Sequence, residues 1–144
     1  MSSNRESLVH GLRPYQLEAG RAILDSVYHR KGLTFCVEVA RQGGKNELSA
    51  CLELNILARY GGKPWNLIKC SPTFKPQTVL SRDRLRDRIR DNGVACYSST
   101  VDGYIVRFLK AKAVFLSAAK TSNVVGHTAH LLLEVDEAQD VDKD

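Results

Sequence analysis

The feature that most constrains how this chain can fold is a short apolar run that leads directly into a glycine-lysine segment. Residues Thr34–Val39 are β-branched or apolar at most positions, which predicts a buried strand. Gly43, Gly44 and Lys45 follow, and a helical pattern of apolar residues begins at Lys45. A strand, a glycine turn and a helix start in this order favour an α/β fold in which backbone N–H groups at the helix start can bind phosphate.

The glycine-lysine segment departs from the usual phosphate-binding loop, G-x-x-x-x-G-K-[ST]. Val39 stands where the first glycine belongs, and Asn46 replaces the serine or threonine. The remaining loop positions, Gln42, Gly43 and Gly44, still permit the backbone to turn around a phosphate group. The segment alone is therefore compatible with a phosphate site and with an ordinary glycine turn before a helix.

A second motif lies far downstream, where a mostly apolar run ends in Asp136 and Glu137. A carboxylate at the end of a buried strand can hold the Mg²⁺ that bridges nucleotide phosphates, and an adjacent glutamate can activate water. Asp136 is thus a candidate metal ligand, beside the amide oxygen of Asn46, and Glu137 is a candidate general base. The acidic pair alone is also compatible with a strand-end turn. Together with Lys45, it predicts a site for ATP and Mg²⁺.

A third motif, "LRPYQ", precedes the predicted strand. The ring of Tyr15 can stack on adenine, and the amide of Gln16 can pair with the edge of the base. The alternative is a helix start in which Tyr15 packs into the core.

The rest of the chain alternates helical and strand patterns without repeats or low-complexity segments. Helices are predicted from Pro14 to about Tyr28, from Lys45 to Gly61-Gly62, and from about Pro76 to Arg90. Strand patterns occur in "WNLIKCSPT", "VACYS", "YIVRFL", "AVFLSA" and "HLLLEV". This order predicts an α/β domain with a largely parallel sheet.

Composition fits a soluble protein of one domain, because 144 residues with 43% hydrophobic and 26% charged residues can bury a single core. No apolar run has the length of a membrane span, and the N-terminus has no signal-peptide core. The four cysteines form no C-x-x-C pair, which indicates free thiols in a cytoplasmic protein.

Much of the positive charge excess lies in the segment from Arg82 to Arg90, where arginine alternates with other residues. This pattern suits contact with a polyanion such as nucleic acid. Asp83 and Asp87 are interleaved at helical spacing, so a solvated helix face that pairs its own charges is the alternative.

With these motifs in view, nearly the whole chain, from "LRPYQ" to "LLLEVDEAQ", resembles the ATPase domain of the large terminase subunit of tailed phages, the DNA-packaging motor. The most specific element is "ARQGGKNE", which resembles terminase loops in lacking the first glycine and in carrying an arginine before the glycine and lysine. "CSPTFKPQ" and "VVGHTAHLLLEVDEA" are also similar to terminase segments.

The resemblance implies a P-loop NTPase-like three-layer sandwich with a mainly parallel sheet. It implies that Lys45 contacts the β- and γ-phosphates, that Arg41 acts as an arginine finger in cis, and that Glu137 activates water. Tyr15 and Gln16 would contact adenine, and Asp136 would hold Mg²⁺. The implied partners are double-stranded DNA, the small terminase subunit and the portal protein, in the host cytoplasm and without a membrane.

The alternatives are a helicase-like DNA translocase, because "LRPYQ" and "DEAQ" are similar to helicase motifs, and a basic binding module whose loop does not hydrolyse nucleotide. The resemblance also implies that residues 1–144 are the N-terminal part of an ATPase domain, incomplete at its C-terminus, with the nuclease domain absent. On that reading we expect the Thr34–Val39 strand to lack its usual neighbours, and the chain to hydrolyse ATP weakly. The chain would either pair strands that are normally apart or associate with other copies.

Overall fold

The computed structural model describes residues 12–38, 44–117 and 128–136. The described helices are α1 (Pro14–Tyr28), α2 (Lys45–Arg59) and α3 (Val79–Asp91), with short helical turns at Phe74–Thr78 and Ala95–Tyr97. The described strands are β1 (Asn66–Ser71), β2 (Ser98–Val101), β3 (Ile105–Phe108), β4 (Ala111–Ser117) and β5 (Leu132–Val135). The three predicted helices are confirmed, although α3 begins three residues later than expected.

Local sequence explains where the helices begin and end. Pro14 occupies the first turn of α1, where its missing N–H costs nothing, and the side chain of Gln16 accepts a hydrogen bond from the Arg13 N–H at 2.7 Å. α2 begins after Gly44, whose φ of 83° lies in the left-handed region that glycine adopts without strain. It ends at Arg59, and the capping residue Tyr60 directly precedes the Gly61-Gly62 pair.

The described strands form one mixed sheet in the order β2-β3-β4-β1-β5. β1 pairs in parallel with β4 and with β5, whereas β3 pairs antiparallel with β2 and with β4. The prediction of a mainly parallel sheet is therefore wrong. The antiparallel pairs arise from two short connections: the tight turn at Asp102-Gly103, where both residues have positive φ, and the turn at Leu109-Lys110. Connections this short can join only antiparallel strands.

The main core lies between one face of this sheet and the helices. Leu54 and Leu57 of α2 and Leu85 of α3 pack there against β1, β3 and β4, with Phe115 at the centre. On the opposite face the buried cluster of Ile68, Val114 and Leu116 is formed by strand and turn residues. A three-layer P-loop-like sandwich is thus not what the described residues show, and that expectation is wrong.

The segment predicted to be a strand, Thr34–Val39, is not part of the described sheet. Residues 31–38 are exposed and form no strand, and Val39 lies outside the described residues. Leu33, Phe35 and Val37 retain 59%, 39% and 44% of their accessible surface. The reason is the pairing of β1 with β4 and β5, which fills both edges of β1 without this segment. Among the described helices, none has the length and apolarity needed to cross a lipid bilayer.

Candidate nucleotide site

The structure brings Lys45 and Asp136 together although they are far apart in the sequence. Lys45 is the first residue of α2, and Asp136 directly follows β5. The Asp136 N–H donates to the Cys70 carbonyl at 2.8 Å, which fixes its backbone beside the end of β1. The Lys45 Nζ lies 3.1 Å from Asp136 Oδ1, so the two halves of the predicted site form an ion pair.

Gln16 joins the same site through the loop glycine. Its Nε2 donates to the Gly44 carbonyl at 2.8 Å, while its Oε1 accepts from the Arg13 N–H. The side chain is 4% exposed, so α1 holds the residue before α2 in place. A Cβ on Gly44 would collide with Nε2 of Gln16, and the positive φ would strain it as well. Two independent constraints therefore require glycine at position 44.

Some of the other predicted site residues lie within the described part of the chain and some lie outside it. Tyr15 is 46% exposed and Asn46 is half-buried in the first turn of α2. Arg41, Gln42, Gly43 and Glu137 lie outside the described residues, and their roles stay predictions. The side-chain amide of Gln16 was predicted to contact adenine. In this structure both its oxygen and its nitrogen form hydrogen bonds with the protein backbone.

A buried polar cluster lies beside the ion pair and was not predicted from the sequence. We define it by four residues: Ser49 and Glu53 on α2, Lys69 on β1 and Glu134 on β5. The Ser49 hydroxyl donates to Glu134 Oε2 at 3.1 Å, and the Lys69 Nζ lies 3.7 Å from the same oxygen. Lys45, Ser49 and Glu53 are four residues apart, so they share one face of α2 above Glu134.

The sequence contains a signal for this cluster. Glu134 and Asp136 alternate along β5 and therefore point to the same side of the sheet, while Lys69 faces Glu134 in the register of β1 and β5. A charged residue inside an apolar strand pattern, paired in register with a charge of the opposite sign, indicates a buried ion pair. What the sequence does not give is the register, which depends on the tertiary pairing.

Burial dominates the ionisation of the buried polar cluster. It raises the pKa of Glu53 well above its ordinary value, and the neighbouring charge of Glu134 raises it further. Burial also raises the pKa of Glu134, partly offset by Lys69 and by the Ser49 hydroxyl. Burial alone would lower the pKa of Lys69. The negative charges of Glu53, Glu134 and Asp136 outweigh burial, so the pKa of Lys69 is raised. Glu53 is thus the carboxyl in this cluster that is easiest to protonate, which relieves its repulsion with Glu134.

Mg²⁺ fits this site only in combination with nucleotide phosphates. Among the described residues, no group of three or more His, Cys, Asp or Glu side chains is arranged to hold a metal ion. Asp136 supplies a hard carboxylate ligand, its side chain is 14% exposed, and it lies beside Lys45 at the start of α2. Mg²⁺ commonly takes one or two carboxylates from a protein and its remaining ligands from phosphate and water.

The arginines of α3 do not form an open cationic surface. Each of Arg82, Arg84, Arg86, Arg88 and Arg90 lies within 4.0 Å of a carboxylate. Arg84 and Arg88 pair with Glu47 in the first turn of α2, at 2.7 and 3.5 Å, and Arg82 donates to the Gly103 carbonyl at 2.6 Å. Between the two readings of this segment, these contacts favour a helix face that pairs its own charges.

Comparison with protein-family models, with curated proteins and with solved structures finds no match for this chain.

Proposed function

We propose that this chain binds ATP at the start of α2 and hydrolyses it. One observation carries the proposal: the ion pair between Lys45 and Asp136, which joins the candidate phosphate-binding residue to the candidate metal ligand at 3.1 Å. The pair is partly exposed, with 43% of the Lys45 side chain accessible, so it contributes little to stability. An exchange of Asp136 for phosphate as the partner of Lys45 therefore costs little.

The local geometry supports phosphate binding in two ways. The first N–H groups of α2 have no partners within the helix, and the helix dipole favours negative charge at this end. Gln16 holds Gly44, the residue before the helix, in a fixed conformation. The N–H groups at the helix start are therefore oriented before a ligand arrives. Lys45 adds the charge that a backbone cannot supply.

The proposed hydrolysis assigns each residue one task. Lys45 neutralises charge on the β- and γ-phosphates, and Arg41 adds charge at the γ-phosphate. Asp136 and Asn46 would hold Mg²⁺, which would supply charge neutralisation for the phosphates. Glu137 accepts a proton from the water that attacks the γ-phosphorus, as the bond from that phosphorus to the ADP oxygen breaks. The roles of Arg41 and Glu137 rest on the sequence motifs alone.

The resemblance to terminase large subunits supports a role for this ATPase in DNA packaging, with DNA, the small subunit and the portal as partners. That role rests on the motifs "LRPYQ", "ARQGGKNE" and "LLLEVDEAQ" and not on the fold. The mixed sheet gives the motor role no independent support, and the site geometry supports only the phosphate-binding part of the proposal.

The test separates binding from turnover. Lys45→Ala should abolish tight ATP binding, whereas Glu137→Gln should keep binding and lose turnover by about 10²- to 10⁴-fold, the range for a general base. Lys63→Ala, which removes the same charge at the other end of α2, is the matched control and should leave both unchanged. Equilibrium titration and single-turnover hydrolysis measure these effects. Full turnover in Glu137→Gln would refute the catalytic assignment. ATP binding without turnover in the unmodified chain would favour the alternative, a binding module that does not hydrolyse nucleotide.

A further inference from the structure

Four segments of the chain meet at the end of the sheet opposite the candidate nucleotide site. They are the C-terminal ends of α1 and α2, the β3–β4 turn and the residues that precede β5. The Lys110 N–H donates to the Gly61 carbonyl at 2.9 Å, and the Lys112 N–H to the Trp65 carbonyl at 3.1 Å. The His130 N–H donates to the Asn66 carbonyl at 3.0 Å. These contacts place the segments side by side where β1, β4 and β5 begin.

This end of the molecule is strongly basic, and we call it the basic pole. It is defined by Arg30, Lys31, Arg59, Lys63, Lys110 and Lys112. The segments 28–32, 59–66, 109–112 and 128–130 contain no acidic residue, and the neighbouring carboxylate is Asp25, which pairs with Lys31. Six cations against one carboxylate equal the net charge of the whole chain, +5, so the remaining residues are balanced.

The cations of the basic pole are available for a partner, unlike the arginines of α3. All except Lys112 are classed as exposed, and Lys112 is half-buried. Among the described residues, no carboxylate forms an ion pair with Arg30, Arg59, Lys63, Lys110 or Lys112. A cluster of like charges without internal partners repels itself, and a polyanion that binds there relieves the repulsion.

Aromatic rings hold several of these cations in place. The rings of Tyr28, Tyr60 and Trp65 form a chain, with centroids 6.2 and 5.6 Å apart. The Arg59 guanidinium lies 4.4 Å from the centroid of Tyr28, and Arg30 and Lys63 lie 5.5 and 5.9 Å from that of Trp65. Cation–π contacts restrict long side chains that would otherwise lose rotational freedom on binding. The charges are therefore partly ordered before a partner arrives.

The close approach of α2 and the β3–β4 turn depends on Gly61. A Cβ at this position would lie 2.8 Å from the Leu109 Cδ1 and 3.3 Å from the Leu57 carbonyl oxygen. The glycine allows the turn that carries Lys110 to lie against the end of α2, next to Arg59 and Lys63. The basic pole is thus built by tertiary contacts between residues that are distant in sequence.

We propose that the basic pole is a surface that binds the phosphate backbone of duplex nucleic acid. The ring faces are covered by cations and by one another, and the three rings are half-buried, which disfavours stacking on single-stranded bases. Guanidinium and ammonium groups form the outer layer, as contact with backbone phosphates requires. A membrane partner would need several apolar side chains to insert, and in these segments Leu109, at 49%, is the one exposed large apolar side chain among the described residues.

The surface is separate from the candidate nucleotide site. α2 runs from Lys45 to Arg59, and a helix of 15 residues is about 22 Å long. Lys45 at one end and Arg59 at the other therefore belong to two sites joined by one rigid element. The inference does not rest on the proposed ATPase activity, since a chain that binds no ATP can still bind DNA through this surface.

The test measures binding of the full chain to a fluorescein-labelled, mixed-sequence DNA duplex by anisotropy over a range of salt. Lys63→Ala/Lys110→Ala removes two exposed cations of the basic pole without touching the backbone contacts. Arg86→Ala/Arg90→Ala on α3 removes the same charge and is the matched control. If both lysines contact phosphates, the slope of log K against log salt should fall by about 1.8, at 0.9 per contact, and the control should leave it unchanged.

Trp65 provides a second, local readout because it is the only tryptophan in the chain. Duplex binding at the basic pole should change its fluorescence, since Arg30 and Lys63 would move relative to the ring. Equal slopes in the two double variants, or DNA binding without a change in Trp65 emission, would overturn the assignment. Binding to vesicles rich in anionic lipid, with none to DNA, would overturn it in favour of a membrane surface. ATP titration of the same variants reports on the nucleotide site separately.

Discussion

Lys69 and Glu134 face each other across β1 and β5, and their charged groups approach to 3.7 Å beneath α2. The Lys69 side chain is 3% exposed and that of Glu134 is 14% exposed. Removal of one member of a buried pair leaves the other charge without compensation, whereas replacement of both by apolar groups is often neutral. The protein should therefore tolerate the loss of both side chains better than the loss of one.

Lys69→Met should destabilise the protein by about 3–5 kcal/mol, because Glu134 would lose its cation in a buried setting. The double variant Lys69→Met/Glu134→Leu should recover much of that loss. Urea unfolding of the wild type, both single variants and the double variant completes a thermodynamic cycle. Additive losses would show that the two side chains do not interact.

Glu53 should make the protein less stable as pH rises. In the folded state burial, together with the charge of Glu134, raises its pKa well above the ordinary value of 4.5. Above pH 4.5 the folded state therefore holds a proton that the unfolded chain releases. Stability present at acid pH is lost as pH rises through the folded pKa. Glu53→Gln stays neutral at every pH, so its unfolding free energy should gain on that of the wild type as pH rises above 4.5.

Urea unfolding of both proteins across that range measures the Glu53 effect. Glu18→Gln, on the exposed side of α1, is the control and should follow the wild-type curve. Stability curves for the wild type and Glu53→Gln that stay parallel with pH would contradict the prediction.

Gly44→Ala should destabilise the protein more than Gly93→Ala. Both glycines have positive φ, 83° and 73°, so each alanine costs about 1–2 kcal/mol in backbone strain. At Gly93 the added Cβ meets no atom within 4 Å, whereas at Gly44 it collides with Gln16. Thermal unfolding should show the extra loss at Gly44, and ATP binding should weaken in that variant alone. Addition of Gln16→Ala should restore part of the excess; equal losses at the two glycines would exclude the collision.

The exposed segment with Leu33, Phe35 and Val37 should promote association between copies of the chain. Three apolar side chains at alternating positions, outside the described sheet, resemble an unpaired strand that can pair with another copy. Leu33→Ser/Phe35→Ser/Val37→Ser should reduce concentration-dependent light scattering. Leu80→Ser, which changes a side chain 52% exposed on α3, is the control. Unchanged scattering in the triple variant would show that this segment does not drive association.

The helices could be predicted from the sequence because their signals are local. Pro14 marks the start of α1, Gly61-Gly62 the end of α2, and the spacing of Leu85 and Ile89 the buried side of α3. Hydrogen bonds within a helix join residues four apart, so a short window of sequence contains the information that forms it.

The candidate site was half visible in the sequence. The motifs identified Lys45 and Asp136 as residues that should meet, since each type has a defined task in phosphate chemistry, and the structure places them in contact. The hydrogen bond between Gln16 and Gly44 was not visible, and the buried polar cluster was indicated only by its charged strand residues, because the contacts join residues from different elements.

Strand partners and surface charge were decided only by the tertiary structure. The composition of Thr34–Val39 is that of a buried strand, yet β1 takes β4 and β5 as its neighbours and residues 34–38 stay exposed. Pairing between strands depends on contacts over long sequence distances, which no local pattern encodes. The same holds for charge: the sequence shows a dense arginine run from Arg82 to Arg90, but folding pairs those arginines with nearby carboxylates. The cations of the basic pole come from three separate segments of the described chain, 28–32, 59–66 and 109–112, which only the fold brings together.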